Sequence, residues 1–192
     1  MSELERNVFE NELAVHTAPV LMGVKCANLV SIDLSDEAIT SCFREFRSNA
    51  EQHGLKIRSL CKCRERTMVY VYHEKLLDAW LEGAEGFLSG FGYDAGMILD
   101  DKLDMLAERM KCGNFPHEIG CFLGYPLEDI KGFIQNQGKN CLLCGYWKVY
   151  GNVGKAKQTF EIYGRCREIL CDRLKNGLDL FQAIELSKEE IL

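Results

Sequence analysis

The sequence predicts a single-domain α/β (α+β) fold, in which several helices cover a small mixed sheet and a long helix ends the chain. The length of 192 residues suits one hydrophobic core, so the whole chain 1–192 is predicted to form one domain. Residues 68–72 are apolar on both faces, as in a central strand. Residues 153–174 carry apolar side chains at helical spacing, and Gly177 follows as a helix stop.

The first third of the chain is predicted to alternate between helix and strand. Residues 3–15 have apolar side chains three or four positions apart, and Pro19 is expected to close this helix. Residues 20–32 are rich in β-branched and apolar residues, which predicts a strand. Ser35 is then expected to cap an amphipathic helix that Gly54 ends.

The middle of the chain is predicted to contain a hairpin followed by short helices. Residues 55–60 and 67–72 are two β-rich runs joined by a charged stretch, which predicts a hairpin with a longer loop. Periodicity and turn residues predict helices at 75–81, 83–89, 99–110, 117–123 and 126–136, and a last strand at 141–150.

The bulk composition narrows the class of protein. The chain is 47% hydrophobic and 27% charged, as globular proteins are. Its formal net charge of −6 provides no positive field for phosphate backbones, so nucleic-acid binding is disfavoured. The acidic first residues do not resemble a signal peptide, and the early uncharged stretch at 13–24 is too short to span a bilayer. We therefore expect a cytoplasmic protein without a membrane partner.

Ten cysteines offer the first candidate site. Without an export signal they are expected to be free thiols, most of them in the core. Cys141 and Cys144 form a CxxC pair, and His117 and Cys121 lie four positions apart on one face of a predicted helix. Together these side chains form a Cys3His set, the ligand number of a structural zinc site. The alternative is that the three cysteines are ordinary apolar residues, and both interpretations stay open.

Residues 118–134 follow the pattern of a helix-turn-helix motif, with Gly124 at the turn. The second helix would begin with Glu128 and Asp129, and carboxylates there repel the phosphates that a recognition helix approaches. The pattern therefore predicts a helical corner that is structural or contacts a protein.

No pattern in the sequence predicts a particular reaction. The glycine-rich run at 83–96 lacks the GxGxxG and P-loop patterns. The positions of His16, His53 and His73 match no nucleophile or carboxylate in a catalytic spacing. Whether the protein is an enzyme stays open at this stage.

Three blocks carry a resemblance to a known family. They are Phe115-Pro-His-Glu-Ile-Gly120, Phe122-Leu-Gly-Tyr-Pro126 and Gly145-Tyr-Trp-Lys-Val-Tyr150. Over nearly its whole length the chain resembles an uncharacterised domain-of-unknown-function family of small cytosolic proteins from anaerobic Gram-positive bacteria. The resemblance implies an accessory role in redox or iron metabolism, so that iron joins zinc as a candidate cofactor and a redox protein is the implied partner. It also implies an apolar residue at position 121, which argues against Cys121 as a required metal ligand.

Residues 115–126 and 145–150 form two blocks that contain more polar and aromatic residues than packing alone requires. We therefore expect the two blocks to form a ligand pocket. Its predicted residues are Pro116, His117, Glu118, Tyr146, Trp147 and Lys148. Placement of the two blocks on opposite faces of the fold would contradict this expectation.

Three functions follow as alternatives. The first is an accessory protein of redox or metal metabolism, with His117, the two CxxC cysteines and residues 147–148 as its site. The second is an enzyme acting on a small molecule, with His117 or Glu118 as acid or base, which a deep apolar pocket would favour. The third is an interaction module built on the helix-turn-helix corner.

Overall fold

A three-stranded sheet lies at the centre of the fold. The structure is a computed structural model that describes residues 3–34, 36–63, 66–111 and 115–187. The strands of the sheet are β1 (Ala27–Asp33), β2 (Lys56–Cys63) and β3 (Arg66–Tyr72), and a separate hairpin contains β4 (Leu143–Cys144) and β5 (Lys148–Val149). The helices are α1 (Glu3–Leu21), α2 (Glu37–Ala50), α3 (Glu74–Glu82), α4 (Glu85–Leu88), α5 (Leu99–Met110), α6 (Ile119–Phe122), α7 (Leu127–Gln135), α8 (Val153–Lys175) and α9 (Leu180–Ser187). These elements confirm the α+β class and the long C-terminal helix.

The central strand β3 contributes to two hydrophobic clusters, one on each face of the sheet. Val69 and Val71 pack among residues of α1, α2, α8 and α9. Tyr70 and Tyr72 point to the other face and pack among residues of α3 to α7. All four side chains are buried, and burying each large apolar side chain contributes about 1.5–3 kcal/mol. The prediction of a central strand covered on both sides is confirmed.

The sheet differs in one respect from the predicted mixed sheet, because every adjacent pair of strands is antiparallel. β2 and β3 form the predicted hairpin, and β1 pairs with the other edge of β3. β1 and β2 run in the same direction, but β3 lies between them, so no parallel pair forms. The crossover through α2 carries the chain from one edge of the sheet to the other.

Helix α1 is longer than predicted. It continues to Leu21 with Pro19 inside it, whereas the sequence predicts that Pro19 closes a helix at 3–15. A proline inside a helix removes one hydrogen bond and strains the preceding turn. Burial of Ala18 and Leu21 in the core offsets this cost. The predicted strand at 20–32 is shortened to β1 as a result.

Helix α2 begins at a side-chain cap and is followed by a left-handed glycine. The carboxylate of Asp36 accepts a hydrogen bond of 2.7 Å from the backbone N–H of Ala38. Asp36 is therefore the N-cap, and the predicted cap Ser35 lies outside the described residues. After one 3-10 turn, Gly54 with φ of 74° ends the helical segment as predicted.

Helix α8 is the predicted C-terminal helix. The side chain of Asn152 caps it by accepting a hydrogen bond from the backbone N–H of Lys155 at 2.9 Å. Gly177, with φ of 88°, follows its end as predicted. Helix α9, which the sequence analysis did not predict, packs against α1 and α8. Among the helices of the described ranges, none has both the length and the apolar character that crossing a membrane requires.

The predicted strand at 141–150 is a tight hairpin instead. β4 and β5 contain two residues each and pair only with each other. Gly145 lies in the turn against α8, where a Cβ atom would come within 2.2 Å of the ring of Phe160. The apolar residues of this segment therefore pack around the turn and against α8, not along an edge of the central sheet.

Candidate ligand site

The corner between α6 and α7 forms one side of the candidate site. The backbone N–H of Tyr125 donates to the carbonyl of Gly120 at 2.9 Å, and that of Gly124 donates to the carbonyl of Cys121 at 3.0 Å. Gly124 has φ of 70°, which a glycine adopts without strain. A Cβ atom at this position would also lie 2.7 Å from the sulfur of Cys26. The turn therefore requires glycine for two independent reasons.

The buried carboxylate of Asp129 connects α7 to the end of the β4–β5 hairpin. Its Oδ2 accepts a hydrogen bond of 2.7 Å from the indole Nε1–H of Trp147. Its Oδ1 accepts hydrogen bonds from the backbone N–H groups of Tyr150 at 2.7 Å and Gly151 at 2.9 Å. A buried charge is tolerated only when such bonds replace its lost hydration. Asp129 is therefore a structural residue that positions the hairpin.

The side chain of Trp147 is held between aromatic rings. It stacks on Tyr125 with centroids 5.3 Å apart and meets Phe160 edge-on at 4.5 Å. The hydrogen bond to Asp129 fixes the remaining rotation of the indole, which is buried. These contacts hold one wall of the site rigidly.

A pocket of about 430 Å³ lies between residues 115–120, α7 and the hairpin. Its volume is in the range of small-molecule binding sites. Eight of its eleven lining residues are aromatic, aliphatic, proline or glycine, so its walls are mainly apolar. The lining residues are Phe115, Pro116, His117, Ile119, Gly120, Tyr125, Asp129, Ile130, Phe133, Trp147 and Lys148.

The structure brings residues of both sequence blocks to this pocket. Four of the six predicted pocket residues line it: Pro116, His117, Trp147 and Lys148. Tyr146 does not line the pocket. Its side chain packs against Phe160 and Tyr163 of α8, at centroid distances of 5.5 and 5.2 Å. That a ligand occupies the pocket stays a prediction.

Glu118 points away from the pocket into the core. One carboxylate oxygen forms an ion pair with the guanidinium of Arg109. The other oxygen is buried without a hydrogen-bond partner among the described residues, and so is the hydroxyl of Tyr93. Burial and the nearby charge of Glu118 raise the pKa of Tyr93, which keeps this phenol neutral. Because Glu118 is fully buried, a ligand in the pocket does not reach it.

Two basic side chains that line the pocket lie near the ring of Phe133. The imidazole of His117 meets the ring of Phe133 at a centroid distance of 5.6 Å. The ammonium of Lys148 lies over the same ring at 5.8 Å and donates to the carbonyl of Gly138 at 2.7 Å. Both side chains are exposed to solvent. They are the polar groups most accessible to a ligand.

The predicted Cys3His metal set does not come together. Cys121 is fully buried in the core, where burial raises the pKa of its thiol to about 12. Cys141 and Cys144 lie on the hairpin, where Cys141 is half-buried and Cys144 is exposed, while His117 lines the pocket. No group of three or more His, Cys, Asp and Glu side chains in the described part of the chain could hold a metal ion. These residues do not fit a four-ligand zinc or iron site.

The helix-turn-helix-like corner exposes little of its second helix. Ile130 and Gly132 of α7 are buried, and a Cβ atom at Gly132 would come within 2.4 Å of the Cβ of Tyr150. Glu128 and Lys131 are among its exposed residues, one acidic and one basic. Much of α7 is therefore used to support the pocket and the hairpin.

Two residues that organise the site were not singled out by the sequence analysis. Asp129 was considered only as part of an acidic helix start. The other, Lys25, is a buried lysine whose ammonium donates to Asn28 at 2.8 Å and lies over the rings of Tyr125 and Tyr163 at 5.3 and 5.8 Å. Burial lowers the pKa of Lys25 to about 8. A lysine within an otherwise apolar segment was the one available signal.

A larger cavity of about 720 Å³ lies between α1, α2 and α9. Two of its carboxylates have structural roles at the start of α9. Glu10 accepts a hydrogen bond from the backbone N–H of Leu180 at 3.2 Å, and Asp179 accepts one from that of Gln182 at 2.9 Å. These groups satisfy backbone donors of the first helical turn. We place the candidate site at the pocket beside the hairpin, because residues of both predicted blocks line it.

Comparisons with known proteins identify a family. No curated protein and no solved structure shows significant similarity to the chain. The model of a family described as "Protein of unknown function (DUF3793)" matches residues 13–184, which include the sheet, the corner and the hairpin. This match confirms the resemblance to a domain of unknown function, and the chain belongs to the DUF3793 family.

Proposed function

We propose that the protein binds a small, largely apolar molecule in the pocket between residues 115–120, α7 and the β4–β5 hairpin. One observation carries this proposal: two sequence blocks that are distant along the chain contribute to a single pocket of about 430 Å³ with mainly apolar walls. Specific ligand sites typically combine such walls with a few polar groups that orient the ligand. Here His117 and Lys148 are those groups.

The rigidity of the pocket wall supports the same proposal. Asp129 and Tyr125 hold Trp147 by a hydrogen bond and by ring stacking. A wall that is already ordered loses little conformational entropy when a ligand binds, which favours affinity. Packing of the core alone does not require an aromatic wall beside an open volume.

A matched pair of variants tests the proposal. Ile119 lines the pocket and is half-buried, so Ile119→Phe extends a ring into the open volume. Ile162, on the exposed side of α8, does not line the pocket, and Ile162→Phe makes the same change elsewhere. We expect neutral aromatic fragments, detected by ligand-observed NMR, to bind the wild type and Ile162→Phe equally. Binding to Ile119→Phe should be about tenfold weaker or lost.

Two outcomes of this experiment would contradict ligand binding at the pocket. One is that none of the fragments binds the wild-type protein at millimolar concentration. The other is that fragments bind Ile119→Phe and Ile162→Phe with the same affinity. A second signal comes from Trp147, whose fluorescence should respond to a bound fragment once Trp80→Phe has removed the other tryptophan.

An enzyme acting on a small molecule is the second candidate function. It is favoured by the exposed imidazole of His117 at the pocket, because an imidazole can serve as a general acid or base. Glu118 is buried in its ion pair with Arg109, so acid or base catalysis in the pocket would depend on His117. A reaction of a bound molecule that His117→Gln abolishes without weakening binding would establish this function.

The accessory role in redox or iron metabolism remains a prediction that the resemblance implies. Cys141 and Cys144 lie on the same hairpin as Trp147 and are its candidate thiols. Elemental analysis of anaerobically purified protein tests the role. Near-stoichiometric iron or zinc that is lost in a Cys141→Ser, Cys144→Ser double variant would support it. Metal-free protein would contradict it.

An interaction module at the α6–α7 corner is the remaining alternative. The exposed side of α7 carries both Glu128 and Lys131, so it offers no basic surface for nucleic acid. A protein partner stays a prediction for this corner.

A further inference from the structure

Asp129, His117 and Lys148 line the pocket, and they differ in the hydrogen bonds and ion pairs that they form within the protein. The two carboxylate oxygens of Asp129 together accept three hydrogen bonds, one from the indole of Trp147 and two from backbone N–H groups at the end of the hairpin. Its negative charge is therefore compensated by structural partners. His117 and Lys148 take part in none of the ion pairs formed among the described side chains.

The two basic groups share one neighbour, the ring of Phe133, which also lines the pocket. The imidazole of His117 lies 5.6 Å and the ammonium of Lys148 lies 5.8 Å from the centroid of this ring, which we take as the basic end of the pocket. The hydrogen bond to Gly138 uses one of the three donors of the Lys148 ammonium, which leaves donors for a ligand. An anionic group at this end could accept hydrogen bonds from both side chains.

The rest of the pocket accepts an apolar body. Its remaining walls include the rings of Phe115, Tyr125 and Trp147 and the aliphatic side chains of Ile119 and Ile130. Aromatic walls favour flat ligands, which stack on or meet these rings edge-on. The pocket thus combines an apolar, aromatic part with a basic end.

We propose that the pocket selects small aromatic acids, with the ring against the aromatic wall and the carboxylate between His117 and Lys148. This inference rests on the proposed function and adds the chemical class of the ligand to it. A neutral molecule of the same shape leaves the basic end without a partner. A cationic molecule is repelled by it.

Three probes with the same ring test this selection. Naphthoate, naphthamide and naphthylmethylamine differ in charge and share one apolar body. We expect isothermal titration calorimetry to show that naphthoate binds about tenfold more tightly than naphthamide, as charge-assisted hydrogen bonds allow, and that the amine binds most weakly. Lys148→Gln should weaken the binding of naphthoate much more than that of naphthamide, and so remove most of the advantage of naphthoate. Lys157→Gln, an exposed change on α8, is the matched control.

The outcomes separate this inference from the proposed function. Equal binding of naphthoate and naphthamide, or an advantage of naphthoate that survives Lys148→Gln, overturns the selection of acids. If Ile119→Phe still weakens naphthamide in that case, the pocket binds small molecules and the proposed function stands. If none of the three probes binds at millimolar concentration, both the selection and the proposed function are overturned. Preference for naphthoate that Lys148→Gln removes and Lys157→Gln preserves supports both.

Discussion

Replacing Asp129 by alanine should destabilise the protein and release Trp147 from its position. The carboxylate accepts three hydrogen bonds, at 2.7, 2.7 and 2.9 Å, from the indole and from two backbone N–H groups. A hydrogen bond to a charged group contributes about 1.5–3 kcal/mol. Water can restore part of this at the half-buried backbone groups but not at the buried indole. We therefore expect a loss of about 3–5 kcal/mol in the free energy of unfolding.

Asp129→Asn should remove one of these three hydrogen bonds and keep the other two. The amide oxygen still accepts from the two backbone groups, but its NH2 faces the indole N–H of Trp147, so one bond is lost and one donor remains unsatisfied. We expect a loss of about 2 kcal/mol. Glu128→Ala is the control at the neighbouring position, where an exposed side chain accepts one bond of 3.2 Å from the backbone of Asn152. Its cost should stay below about 1 kcal/mol.

Urea unfolding in a Trp80→Phe background measures both consequences, because Trp147 is then the remaining tryptophan. Circular dichroism reports the free energy of unfolding. The fluorescence of the folded state reports the environment of Trp147 and should shift to longer wavelength in Asp129→Ala. The reasoning would be refuted if Asp129→Ala and Glu128→Ala were equally stable, or if the emission of Trp147 stayed unchanged.

Three further predictions follow from packing and burial. Gly132→Ala should lose about 1–3 kcal/mol of stability in urea unfolding, because its Cβ would lie 2.4 Å from the Cβ of Tyr150. Gly164→Ala is the control: its Cβ would meet nothing within 4 Å, and the change should gain up to about 1 kcal/mol. Lys25→Met should remove a pH dependence of the free energy of unfolding. Because burial lowers the pKa of Lys25 from 10.5 to about 8, the unfolded wild type binds more protons than the folded wild type between these pH values. Wild-type stability should therefore rise by up to about 3 kcal/mol relative to the variant from pH 8 to pH 10.5. Among the cysteines whose side chains the structure describes, the exposed Cys144 should be modified first by iodoacetamide at pH 8. Cys121, fully buried with a pKa raised to about 12, should stay protected until unfolding, as mass spectrometry would show.

Each of these predictions has a clear contrary result. Equal stability of Gly132→Ala and Gly164→Ala would show that α7 does not approach the hairpin closely. Parallel pH profiles of the wild type and Lys25→Met would contradict the lowered pKa of Lys25. Labelling of Cys121 at the rate of Cys144 would contradict its burial.

Local patterns predicted much of the secondary structure. The central strand was predicted from a β-rich run that is apolar on both faces, and helix α8 from apolar residues that repeat with the period of a helix. The predicted end of α1 was wrong, because the helix continues through Pro19 when the surrounding side chains are buried. The predicted strand at 141–150 was wrong as well, because a run of apolar and aromatic residues suits a strand and a packed turn equally.

The candidate site was predicted in part. The polar and aromatic content of two blocks indicated a pocket, and four of six named residues line one. The burial of Glu118 and the packing of Tyr146 against α8 depend on which side of each segment faces the core. The role of Asp129 depends on donors that lie 18 to 22 positions away in the sequence.

The sequence by itself determined the fold class, the central strand, the C-terminal ends of α2 and α8, and the two blocks from which the pocket is made. These features follow from local runs and periods of apolar side chains and from the backbone preferences of residues such as Gly54 and Gly177, and both act over a few positions. Tertiary structure alone decided that Glu118 pairs with Arg109, that Cys121 is core, and that His117 and Lys148 both lie near the ring of Phe133. The physical reason is that burial and contact depend on which distant segments pack together, which no local spacing contains.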